Sequence, residues 1–362
     1  MREFPPEFRG EVIPAFLEGE PFHGRETWCF AYYGVPEWAT PTHPAPGIVL
    51  VHGGLGTAYP EWVRAWVRRG YAAICVDNCG SLPVRTADGQ WLENPEGGPH
   101  GWGRVECAGE PEREHWVYHA VAAAMRSHSF LRSLPNVDSR AIGLTGVSWG
   151  GFLSCILAAA DDRFAYAAPV YGCGFNHEPG GLAAGQPLSE KWAELWDAAA
   201  FLPHVKCPML WVDGTNDFAF SLRRVRRSAA LAPVRHAFST HLRMVHGHSQ
   251  GEAPPEIPAF ANHYAKGGAD IVRIGECRRD GNRIEAAFDA SGRDIVRAEL
   301  LYTVDGADVK WTDRLWRFTE ADAVDTAAGK VSAVLPDGTF AWCVNLITSD
   351  GLVFSTPYEE TR

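Results

Sequence analysis

The run Gly146-Val147-Ser148-Trp149-Gly150-Gly151 sets a serine two residues from a glycine on either side. It follows the apolar run Ala141-Ile142-Gly143-Leu144-Thr145, which reads as a strand, and it opens a helix expected to run from Ser148 to about Ala160. On a sharp strand-to-helix turn a serine is pushed clear of the sheet in a strained backbone conformation, and flanking glycines relieve the crowding. The helix N-terminus below it offers unpaired N–H groups and a partial positive charge. Ser148 is therefore a candidate nucleophile for acyl transfer, with the Trp149 amide directed at the developing oxyanion. The plainer alternative is a helix-capping serine in a glycine-rich turn.

Acyl transfer needs a second backbone donor. His52-Gly53-Gly54-Leu55-Gly56-Thr57 follows the apolar run Ile48-Val49-Leu50-Val51, and its glycines let the backbone approach a substrate oxygen. Gly54 and Leu55 are the expected donors. No Lys-Ser/Thr follows and the spacing fits no dinucleotide fingerprint, so a phosphate-binding turn is disfavoured.

The serine also needs an imidazole, and the imidazole an acid. Asp217 lies in the loop after the expected strand Met209-Leu210-Trp211-Val212, where an acid can reach the same rim; Asp213, nearer the strand end, is the alternative. After the expected strand Leu242-Arg243-Met244-Val245 come His246-Gly247-His248-Ser249. Of the two histidines His248 is the choice, because it lies further from the strand and past a glycine; His246 is the alternative. A metal reading of His-Gly-His lacks a third clustered ligand.

Strands and helices must bring these residues together. From about 46 to 266, short apolar runs alternate with helical stretches, as in a parallel sheet covered on both faces. The helices are expected around Trp62–Trp66, His115–Leu134, Ser148–Ala160, Glu190–Ala199, Leu222–Leu231 and Pro255–Ala265. Residues 1–45 read as a wrapping segment with a leading strand at Thr27–Tyr33. Residues 270–362 read as short strands, among them Ile284–Phe288, Ala298–Thr303 and Phe340–Leu346, separated by Asp-Gly turns. Their regular spacing suggests an immunoglobulin-like or fibronectin-like β-sandwich.

A formal charge of −11 and the absence of a long basic run argue against nucleic acid and anionic membranes as partners. The cluster Arg223-Arg224-Val225-Arg226-Arg227 reads as a solvated helix face. Nine scattered cysteines, with no zinc spacing, read as buried thiols of a reducing compartment. With no signal-like N-terminus and no long apolar stretch, the expectation is a cytoplasmic protein. A homo-oligomer is compatible with the sequence.

With His52-Gly53-Gly54, Gly146–Gly151, Asp213–Asp217 and Gly247-His248 in this order, the sequence resembles the dienelactone hydrolase, acetyl xylan esterase and prolyl-oligopeptidase-like branch of the α/β-hydrolases over about 46 to 266. The resemblance implies a doubly wound, mostly parallel sheet, a triad of Ser148, Asp217 and His248, oxyanion donors at Trp149 and Gly54, and ester hydrolysis without metal or cofactor. The position that is cysteine in dienelactone hydrolases is serine here. The implied partner is a small-molecule ester, an acylated carbohydrate among the options. An aminopeptidase or acyl-peptide hydrolase is the enzymatic rival, and a non-catalytic binding module the other. The loops Asn78–Glu112 and Gly172–Pro187 are expected to line the pocket, with Trp102, Phe175 and His177 as candidate substrate contacts. Trp311 and Trp316 could form a carbohydrate face, although core packing is the better account.

Overall fold

Seven consecutive residues of Ala45–Val51 are buried, which only a strand covered on both faces permits. In the computed structural model, which describes residues 2, 3 and 11–361, this strand lies inside a long sheet. The first units are β1 (Ile13–Glu18), β2 (Trp28–Gly34), β3 (Ala45–Val51), α1 (Pro60–Arg68), β4 (Ala72–Val76), α2 (Trp116–Ser133) and β5 (Val137–Val147). There follow α3 (Trp149–Ala160), β6 (Ala167–Val170), α4 (Ser189–Trp196), β7 (Met209–Gly214), α5 (Leu222–Leu231), β8 (His236–His241), α6 (His248–Glu252) and α7 (Glu256–Lys266). The spatial order is β1-β2-β4-β3-β5-β6-β7-β8, parallel from β4 to β8 and antiparallel at the β1–β2–β4 edge. This is the α/β-hydrolase fold with a mostly parallel central sheet.

The helices cover the sheet because their apolar faces leave no other stable arrangement. In α1, Trp62, Val63, Trp66 and Val67 are buried, and in α3 every residue from Trp149 to Ala158 is. Each large aliphatic side chain fully removed from water contributes about 1.5–3 kcal/mol, so the β3–β5 centre is the firmest part of the scaffold. The nine cysteines are unpaired, and burial pushes the Cys75 thiol up to about 12. No helix among the described residues is long and apolar enough to cross a membrane.

Part of the segment before residue 45 carries more structure than one leading strand: β1 and β2 form an antiparallel edge of the sheet. Met1, residues 4–10 and Arg362 lie outside the described residues.

Beyond α7 come β9 (Arg283–Asp289), β10 (Ile295–Thr303), β11 (Arg317–Glu320), β12 (Lys330–Val334), β13 (Ala341–Thr348) and β14 (Val353–Ser355). Burial alternates strictly along β9, the mark of a strand with one apolar face. β9 and β12 belong to a second, five-stranded sheet. β14, β13, β10 and β11 instead continue the central sheet from β8, through the pairing of Phe238 with Ser355. The apolar faces of the two sheets, Ile284, Ala286 and Val331 on one and Leu300, Val344 and Leu346 on the other, share one core with the hydrolase portion.

The expected strand Leu242–Val245 is a loop, and the strand is β8, a segment earlier. Its sequence, His-Ala-Phe-Ser-Thr-His, is too polar to read as a buried strand. Its polar atoms are nonetheless paired: the Ser239 hydroxyl with His241 Nε2 at 3.0 Å, the Thr240 amide with Ser355 Oγ at 2.8 Å, and the Thr240 carbonyl with Asn345 Nδ2 at 3.0 Å. Arg243, at φ 53°, then turns the chain away from the extended conformation.

Candidate active site

Ser148 sits between β5 and α3 at φ 61° and ψ −121°, a conformation that costs a non-glycine residue about 1–3 kcal/mol. The turn is enforced by close backbone contact. A Cβ on Gly150 would lie 1.9 Å from the Val51 carbonyl oxygen, and one on Gly146 would lie 2.2 Å from the Gly150 carbonyl oxygen. The Ser148 amide donates to the Val170 carbonyl at 2.9 Å, and α3 starts directly after it. The Trp149 amide thus belongs to the first turn, whose N–H groups have no partner within the helix.

The imidazole that meets this serine is that of His246. Its Nε2 lies 2.8 Å from Ser148 Oγ, and its Nδ1 lies 2.5 Å from Asp217 Oδ2. Asp217 is buried, and its other oxygen accepts from the amides of Ala219 at 2.9 Å and Phe220 at 2.7 Å, which fixes the carboxylate. An ionised Asp217 makes Nδ1 the protonated nitrogen and leaves Nε2 free to take the serine proton. Tyr171 stacks on the His246 ring at 4.6 Å and Phe218 covers it at 4.5 Å.

His248, the histidine expected on sequence grounds, is placed elsewhere. Because the strand ends at His241, the loop 242–247 carries His246 to the rim, and His248 is already the first residue of α6. Its ring stacks on Tyr59 at 3.9 Å and meets Trp62 edge-on. Burial, with His52 nearby, pushes its pKa down to about 4. Asp213 lies in β7 itself, fully buried, and burial together with the neighbouring Asp217 raises its carboxyl well above the usual range. Asp217, not Asp213, contacts the imidazole.

The glycine loop after β3 borders the serine. A Cβ on Gly53 would stand 3.0 Å from Ser148 Cβ, and one on Gly54 would strike the indoles of Trp102 and Trp149. His52 holds this loop in place. Its Nε2 accepts from the Asn78 amide at 3.0 Å, so its Nδ1 carries the hydrogen that is donated to the Gly53 carbonyl at 2.8 Å. Leu55 turns outward at φ 62° with its side chain 68% exposed, and its carbonyl accepts from Trp91 Nε1. Gly54 is closely enclosed at the site, and Leu55 stands at its outer margin.

Of the candidate substrate contacts, Trp102 reaches the site through Gly54. Phe175 and His177 are drawn to other partners. The Phe175 amide donates to Asp197 Oδ1 at 2.6 Å, its ring lies under the Arg227 guanidinium, and His177 Nδ1 is 3.6 Å from Asp197 Oδ2. Asp197, which sequence reasoning passed over, also accepts from the amides of Asn176 and Ala199 and organises that loop.

A second feature missed in the sequence is a clamp from the loop between β10 and β11. The Asn216 side-chain Nδ2 donates to the carbonyls of Thr312 at 3.0 Å and Arg314 at 2.8 Å, and Trp311 Nε1 donates to the Asp217 carbonyl at 2.7 Å. Arg243, in the loop that carries His246, donates to the Trp316 carbonyl at 2.7 Å. Residues 311–316 thus hold the loops of both the acid and the imidazole. Trp316 itself is core, packed with Leu222, Leu301 and Tyr358.

The model of the dienelactone hydrolase family matches residues 30–266. Among solved structures, an acetyl xylan esterase from Paenibacillus sp. R4 superposes with a TM-score of 0.55 at 17% identity, over 73% of this chain and 87% of that one. A puromycin-hydrolysing peptidase from Mycobacterium tuberculosis superposes with a TM-score of 0.51 at 20% identity, over 70% of this chain and 40% of the other. A Pyrococcus horikoshii acylaminoacyl peptidase gives 0.50 at 18% identity, over 72% and 42%. The chain therefore spans less than half the length of either peptidase. At these identities the likeness is one of fold. No curated protein matches the sequence.

Proposed function

The chain belongs to the dienelactone hydrolase family, and from that premise we propose that it cleaves carboxylic esters through an acyl-enzyme on Ser148. The observation that carries this reading is the contact of Ser148 Oγ with His246 Nε2 at 2.8 Å, backed by Asp217. In the first step Oγ attacks the ester carbonyl carbon and its proton passes to His246 Nε2. The charge that develops on the carbonyl oxygen is taken up by the amides of Trp149 and Gly54, and Asp217 stabilises the imidazolium. The C–O bond then breaks, the alcohol leaving with the proton from Nε2. Water repeats the sequence on the acyl-enzyme and releases the carboxylic acid.

The mouth of the site favours small esters with an apolar or aryl portion. Phe218, against His246, is 60% exposed, and Trp102, against Gly54, is 37% exposed, so both present ring surface to an incoming group. An acetylated sugar ring could stack on the same surfaces. The test is hydrolysis of p-nitrophenyl acetate, acetylated sugars and aminoacyl amides by wild-type and Ser148→Ala chains, with fluorophosphonate labelling. Turnover of the esters that vanishes with the serine is expected. Near wild-type activity in Ser148→Ala would exclude this site, and turnover confined to the amides would exclude the ester assignment.

A further inference from the structure

A cavity of about 480 Å³ lies between the hydrolase portion and the C-terminal strands, on the outer side of the loop that carries Asp217. Its volume lies within the range of small-molecule sites. Five cations line it against two carboxylates, in a chain whose net charge is −11. The carboxylates are largely engaged: Glu178 is held by Arg227 through two short bonds, and Glu360 accepts from the Tyr358 hydroxyl at 2.7 Å with Arg223 at 3.9 Å.

The remaining cations have no carboxylate within ion-pair distance among the described residues. Arg224 is buried and donates to uncharged oxygens, the carbonyls of Gly180 and Ala219 among them. Arg314 reaches the Val309 carbonyl and the Tyr358 hydroxyl and lies over the Phe340 ring at 4.6 Å. Lys310 Nζ stands 5.7 Å from the centre of the Trp311 ring. Arg223 and Arg224 also occupy the first turn of α5, which has no acidic residue. Cations at the positive end of a helix add to its dipole's positive potential, which favours an anion in the cavity beside them.

We propose that this cavity is a second binding site, for a small aromatic carboxylate. Arg314 and Lys310 would take the carboxylate, and Trp311 and Phe340 would flank the ring. A carboxylate suits the forked guanidinium. A flat ring suits the Trp311 indole and the Phe340 phenyl that stand beside these two cations in the lining.

The test is calorimetric titration of the full Ser148→Ala chain with benzoate, benzamide and acetate, repeated with Lys310→Gln/Arg314→Gln added. The substitutions keep the Arg314 backbone carbonyl on which Asn216 rests, and a cooperative thermal melt of the substituted chain close to that of its parent verifies the fold. Benzoate should bind one to one. The double substitution should weaken it about tenfold or more, and benzamide and acetate should each bind at least about tenfold more weakly than benzoate. Benzoate that binds the substituted chain as well as the parent, benzamide or acetate that binds as well as benzoate, or no benzoate binding at millimolar concentration would each overturn the proposal.

Discussion

His246 and His248 are two residues apart and lie in different surroundings. One ring bridges a hydroxyl and a carboxylate, and the other is sandwiched between Tyr59 and Trp62. His246→Gln is expected to lower kcat roughly a thousandfold, the scale of lost general-base catalysis, whereas His248→Gln should stay within about tenfold of wild type. Steady-state kinetics on p-nitrophenyl acetate separates the two. Gly150→Ala should yield little soluble protein, because the added carbon would meet the Val51 carbonyl at 1.9 Å and neither backbone can retreat. Expression trials beside Gly185→Ala, where a Cβ has open space but φ is +70°, distinguish crowding from strain. Ser148 and Asp217, which the structure brings to one imidazole, each stand in a short glycine-bearing segment just past a strand, and that spacing is readable in the sequence. His248 was the wrong choice because that logic depends on knowing where the strand stops, and β8 is written in polar residues, with Thr240 satisfied by partners about a hundred positions downstream.

At the level of elements, the loops after β7 and β8 do not hold their shape alone. The segment 311–316 gives the Asn216 side chain its acceptors and places an indole N–H on the carbonyl of Asp217. Trp311→Phe keeps the ring but removes that donor. It should lower kcat by about tenfold with KM nearly unchanged, because the acid loses orientation while the substrate surfaces stay in place. A purely structural role for Trp311 would shift the melting temperature and leave the kcat–pH profile of wild type intact; a positioning role moves the profile. The alternating strands and helices between β3 and α7 were readable from periodicity, because each buries its apolar face locally. The clamp was not, since a tryptophan that donates one hydrogen bond across the interface resembles any core tryptophan in sequence.

Across the whole molecule, acid sensitivity follows from imidazoles that folding keeps uncharged. Burial, reinforced by the nearby Arg163, pushes His128 down to about 4, and neither of its ring nitrogens has a partner among the described residues. The unfolded chain takes up this proton near pH 6.5 and the folded chain near 4. The stabilisation is therefore complete above pH 6.5 and drains away as pH falls toward 4, by about 3 kcal/mol at full extent. From pH 7 to pH 4 the melting temperature of wild type should fall further than that of His128→Phe, so that the difference between them changes with pH. A gap that stays constant with pH would refute the linkage. The continuity of the sheet from β8 into β14 has a further consequence for how the protein comes into being. A nascent chain halted on the ribosome near residue 270 already contains the serine, the aspartate and the histidine, but neither the indole that steadies the Asp217 loop nor the strand that pairs with β8. Competence should arise late and abruptly, only when residues 311–316 and 353–355 have left the exit tunnel, so that a half-made copy is an inert one.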